Sequence, residues 1–135
     1  MSASQPDRLR TPPRERFTGD TRVFDLEEIF EHLAAEEHPA IEGHHQITLF
    51  KSGTSTVMAF LFHEQGRFRR HRAEGVVIIE VVQGCVEVEM PEEKHAVDAG
   101  RLMVIRPGVP HEVVATRESK MIMTVHLHPD ESSGG

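Results

Sequence analysis

The chain of 135 residues carries a formal net charge of −7 with the ten histidines counted neutral, 27% charged and 38% hydrophobic residues, and one cysteine. One domain with a real core fits within that length, and an acidic balance with no basic face argues against nucleic acid as a partner. No apolar run approaches the length of a membrane span, and the single Cys85 rules out an intramolecular disulfide, which points to a reducing, cytoplasmic setting.

Residues 1–19 are polar, hold Pro6, Pro12, Pro13 and Gly19, and lack the apolar centre of a signal peptide; a disordered tail is expected. A helical lead-in follows over 20–43. Asp25 stands three residues before Glu28, the spacing of a capping box, and Leu26, Ile29, Phe30 and Leu33 recur at helical spacing. One short amphipathic helix over roughly 25–36 is predicted, ended by Pro39.

From residue 44 the pattern becomes that of strands. "HQITLFKSGTSTVMAFLFHEQG" holds two β-rich runs about a turn at "KSGT". The basic stretch "GRFRRHR" (66–72) reads as a loop or strand start with solvated arginines. "VVIIEVVQG" is apolar on both faces, with Val77, Ile79 and Val81 on one and Val76, Ile78 and Val82 on the other, as for a strand covered on both sides. After a turn at Gln83-Gly84, "CVEVEM" alternates, with Val86, Val88 and Met90 on one face. "PEEKHAVD" reads as a solvated turn. "RLMVI", "HEVVAT" and "KMIMTVHLH" complete seven to nine short strands separated by Gly/Pro turns, and 129–135 is a second polar tail. An all-β sandwich or barrel over 44–128 is predicted.

The segment from Gly100 through "RLMVIRPGVPH" to His111 resembles the second signature of the cupins: glycine, five residues, usually proline, one residue, glycine, two residues, histidine. Gly100, Gly108 and His111 match, and Arg106 replaces the usual proline. In the first signature, counting back from Gly84 puts the first histidine at His71, while the second histidine and the glutamate fall on Ala73 and Val77. The resemblance implies a cupin-like jelly-roll β-barrel with one short N-terminal helix, commonly assembled as a homodimer. It also implies a site where three histidines and a glutamate hold one divalent ion (iron, manganese, nickel or zinc).

Alanine and valine coordinate nothing, so two of those four ligands are missing, and a metal site is reduced or absent. Rescue ligands are available in Glu74, His63 and above all His126, whose strand can turn it inward. The remaining histidines, His44 and His45 among them, read as surface residues.

Two functions of different kinds follow. The first is a small-molecule-binding barrel. His71, His111 and His126 would stand at the pocket, with Val77, Ile79, Val104, Val113, Met121 and Met123 as its apolar lining. Arg106 near the mouth is a partner for a carboxylate, although a turn arginine in solvent is the plainer reading. The second is a metal-dependent enzyme of dioxygenase or isomerase type acting on a small organic acid, with His71, His111 and His126 as metal ligands. The sequence selects neither a ligand nor a reaction.

Overall fold

The computed structural model describes residues 20–37, 40–70 and 72–127. Both expected tails and His71 lie outside these residues. The helix α1 (Leu26–Ala34) begins as the sequence requires: Asp25 is extended at φ −88°, and its carboxylate accepts from the backbone N–H groups of Glu27 (3.1 Å) and Glu28 (3.3 Å). Such an N-cap stabilises a short helix by about 1 kcal/mol. Ile29, Phe30 and Leu33 are buried, so one stripe of the helix faces the protein.

Nine strands follow among the described residues: β1 (His44–Ser52), β2 (Ser55–Phe62), β3 (Arg67–Arg70), β4 (Gly75–Gln83), β5 (Cys85–Met90), β6 (Glu93–Asp98), β7 (Leu102–Ile105), β8 (His111–Ala115) and β9 (Ser119–Leu127). They form a five-stranded sheet in the order β1-β2-β9-β4-β7 and a four-stranded sheet in the order β3-β8-β5-β6. All neighbours are antiparallel. The two sheets face one another across the core, the all-β barrel expected from the turn spacing. The run read as a solvated turn at 93–98 is instead a strand. It pairs in register with β5, from Cys85 opposite Asp98 to Met90 opposite Glu93, and only Val97 of it is buried. An edge strand in solvent keeps polar side chains on both faces, so its sequence resembles a loop.

Strand alternation divides the apolar residues into two layers. Inside the barrel, Met58, Phe60 and Phe62 of β2, Val77, Ile79 and Val81 of β4, and Met121, Met123 and Val125 of β9 meet Val86 and Val88 of β5 and Val113 and Ala115 of β8. On the outer side of the large sheet, Ile47, Leu49, Ala59 and Leu61 receive Ile29, Phe30 and Leu33 of the helix.

The link between the sheets depends on two glycines. Gly43 has φ +83°, and a Cβ there would come within 2.7 Å of the Cα of Gly66. A side chain on Gly66 would in turn run into the Gly43 carbonyl. The approach lets the backbone N–H of His63 donate to Gly43 O and that of Arg67 donate to Glu42 O, both at 2.9 Å. β3 thereby leaves β2 and joins the other sheet without stranding its polar groups.

Candidate functional site

At one end of the barrel the chain turns at 106–110 and then begins β8 with His111. Gly108 takes φ +81° in that turn, a conformation open to glycine at no steric cost. Its N–H donates to the carbonyl of Ala73 at 2.9 Å, which ties the turn to the segment leading into β4. The alternation of β8 places His111, Val113 and Ala115 on its inner face, and His111 is 5% exposed. Its Nδ1 donates to the carbonyl of Val109 at 3.1 Å, which fixes the ring. Ala73, Val77, Ile105, Val113 and Val125 belong to one buried apolar cluster at this side of the core, with Val109 and Phe68 packed on it partly buried. His111 is thus an imidazole set at the head of an apolar interior.

A second histidine lies inside, against expectation. His44, read as a surface residue, is 6% exposed. Its ring lies 5.5 Å from those of Phe60 and Phe62 and 5.7 Å from that of Phe68. Its Nδ1 donates to the Arg67 carbonyl at 3.0 Å, and its Nε2 pairs with the Gln46 side-chain amide at 2.9 Å. The hairpin register supplies the reason: His44, Gln46 and Thr48 stand opposite Phe62, Phe60 and Met58, so they share the inner face. Both faces of β2 are buried from Met58 to Phe62, so sequence pattern alone did not separate them, and the register with β1 does. Both histidines flank β3. Phe68 pairs with Val113, Arg70 pairs with His111, and the Arg67 carbonyl holds His44. His45, also read as a surface residue, is buried on the other face, against the helix.

The remaining predicted residues are placed as follows. Val77 is inside the barrel, 1% exposed. His126 lies on the outer face, where it pairs opposite Val76 and Ser55, and its Nδ1 is 2.9 Å from the Ser55 hydroxyl in an exposed position. The inward turn considered for it is not made, because Val125 and Met123 occupy the inner positions of β9. Val104, assigned to the lining, is also on the outer face and largely exposed, while Ile105 takes the inner position. Arg106 is exposed in the turn, and Glu74 and His63 are exposed. The basic stretch is partly neutralised: Arg67 and Arg69 both reach Glu112, and Arg69 also reaches Glu42 at 3.1 Å.

The four-ligand metal site does not fit these residues. The positions of two ligands are the buried apolar side chains Ala73 and Val77, and His126 points away from the interior. Among the described residues no group of three histidines, cysteines or carboxylates is arranged to hold an ion. No helix among them is long and apolar enough to cross a membrane.

The family model described as the AraC-like ligand binding domain matches residues 57–131, more than half of the chain. Solved structures share the fold at low identity. A conserved protein of unknown function from Streptococcus pyogenes is 20% identical, with a TM-score of 0.66 over 82% of this chain and 90% of that one. A cupin superfamily protein from Desulfitobacterium hafniense is 12% identical, with a TM-score of 0.63 over 71% and 87% of the two chains. An RmlC-like cupin from Shewanella frigidimarina is 18% identical, with a TM-score of 0.61 over 72% and 87%. No curated protein matches the sequence. The β-sandwich, its Gly108–His111 turn and the matched segment agree: the chain has the fold of the cupins and belongs to the AraC-like ligand-binding domain family.

Proposed function

We propose that this protein binds a small molecule inside its barrel, and that the ligand has an apolar body and one hydrogen-bonding group. The observation that carries this reading is His111, an imidazole buried at the head of a largely apolar interior that also holds His44, and itself held by the Val109 carbonyl. Binding pockets have this composition: apolar walls with few, placed polar groups. The ligand-binding description of the matching family supports it. Val77 and Val113 are the walls nearest in sequence register to this end, and His44 with Phe60 and Phe68 provides a second polar and aromatic contact beside β3. With Ala73 and Val77 in place of metal ligands, the ligand is held by shape and hydrogen bonding rather than by coordination. The protein acts as a homodimer, and its lone cysteine suits the cytoplasm.

The test is thermal unfolding of the purified chain against panels of small carboxylic acids, alcohols and phenols. A true ligand at about a hundred times its Kd stabilises by about 2.7 kcal/mol and raises Tm by on the order of 10 °C. The rise saturates, and His111→Leu abolishes it while leaving the melt cooperative. A panel without one saturating compound, or a ligand unaffected by His111→Leu, overturns the reading.

A further inference from the structure

The inner face of β1 carries three polar side chains in a row, His44, Gln46 and Thr48. β1 is an edge of the five-stranded sheet and β3 an edge of the four-stranded sheet. At His44 the two edges meet, since its ring lies near Phe60 and Phe62 of one sheet and Phe68 of the other. Two residues further along the same face, Gln46 is exposed and Thr48 half-buried, although they stand opposite the buried Phe60 and Met58. The seam between the sheets is closed at His44 and opens at Gln46.

Hydrogen-bond polarity runs one way through these groups. A backbone carbonyl only accepts, so the 3.0 Å contact between His44 Nδ1 and the Arg67 carbonyl puts a proton on Nδ1. In the neutral ring Nε2 is then an acceptor. The Gln46 amide, 2.9 Å away, must donate to it through its own N–H. The two ends of an amide have the same shape, and their partners decide which is which. The carbonyl oxygen of Gln46 therefore takes the other position, 4.0 Å from Met58 Sδ, and a thioether has no proton to give. The sequence Arg67–His44–Gln46 thus ends in an acceptor where the inner face meets solvent. His111 is set in the same sense, because the Val109 carbonyl 3.1 Å from its Nδ1 makes Nε2 the acceptor of the neutral ring. Thr48 donates or accepts equally and imposes no preference.

We infer that the ligand's polar group is a hydrogen-bond donor, an uncharged hydroxyl received by the Gln46 carbonyl at the β1–β3 opening. This rests on the small-molecule reading above and adds the sense of the hydrogen bond. A carboxylate or ketone would set one acceptor against another. An ammonium donates, but taking its charge in among Met58, Phe60 and Phe68 is costly. A hydroxyl brings the proton without the charge.

Two measurements on the full chain test this. The first needs no ligand. Long-range proton–nitrogen NMR correlations at about pH 8, where an ordinary imidazole is neutral, are expected to show the His44 proton on Nδ1, the signal being assigned by its loss in His44→Gln. A proton on Nε2 instead overturns the inference. The second is thermal unfolding against matched sets of one apolar body carrying a hydroxyl, its methyl ether, a carboxylate or an amine, benzyl alcohol and phenols among them. The hydroxyl compound is expected to bind at least about tenfold more tightly than its ether, the worth of one hydrogen bond, and the carboxylate and amine more weakly still. In Gln46→Leu, an exposed position, that ratio is expected to fall towards one while the melt of the free protein stays cooperative. A ratio that survives Gln46→Leu, or a carboxylate, amine or ether that binds as well as the hydroxyl, overturns this inference and leaves small-molecule binding standing. Absence of any saturating compound overturns the binding reading and this inference with it.

Discussion

The Nδ1 of His45 lies 2.9 Å from Oε1 of Glu36, and the two side chains are 8% and 4% exposed. This contact fastens the residue just beyond the helix to the first strand of the barrel, beside the apolar layer of Ile29, Phe30 and Leu33. Removing one member takes this contact from the other in a buried position. Replacing both with apolar residues removes the problem along with the bond.

Glu36→Ala is therefore expected to lose about 3 kcal/mol of stability in urea unfolding. Glu36→Leu combined with His45→Leu is expected to recover most of it. A loss below about 0.5 kcal/mol for Glu36→Ala would show that the contact does not fix the helix to the sheet.

Gly75 opens β4 beside the candidate site. A Cβ there would overlap the carbonyl oxygen of His126 and crowd the Cα of Leu127 on the neighbouring strand. Both obstacles are backbone, so neither moves without shifting β9. Gly75→Ala is expected to cost about 1–3 kcal/mol, read as a lowered Tm, and an unchanged melt would refute the close approach.

Metal content separates the two functional readings. After incubation with iron, manganese, nickel or zinc and desalting, mass spectrometry is expected to find far less than one ion per chain. Ala73→His together with Val77→Glu restores the expected ligand types at their positions, and this variant is expected to retain an ion and to melt higher with it. One ion per parent chain, lost in both His71→Ala and His111→Ala, would instead put the metal-dependent enzyme first.

Much of the fold is legible in the sequence because its signals are local. Asp25 and Glu28 mark the start of the helix, and Asp25 caps it. The period-two pattern of "CVEVEM" places Val86 and Val88 in the core. Local pattern fails where a residue's face depends on a distant partner. "EKHAVD" is a strand because β5 supplies hydrogen bonds across the turn, not because its side chains ask for burial. His44 and His45 follow a glycine in a polar stretch, and only pairing with β2 and packing against the helix bury them.

By itself the sequence determined the kind of protein: seven to nine β segments set by alternation and glycine turns, one capped helix, a turn that delivers His111, and the absence of ligand side chains at positions 73 and 77. These are matters of residue type and spacing along one stretch of chain. The tertiary structure decided which side each residue serves. It turned His44 inward among three phenylalanines, set His126 and Val104 on the outside, and laid the helix over β1 and β2 instead of β4. The physical reason is that a strand offers both faces equally, and only its neighbours in the sheet and the layer above determine which of them meets water.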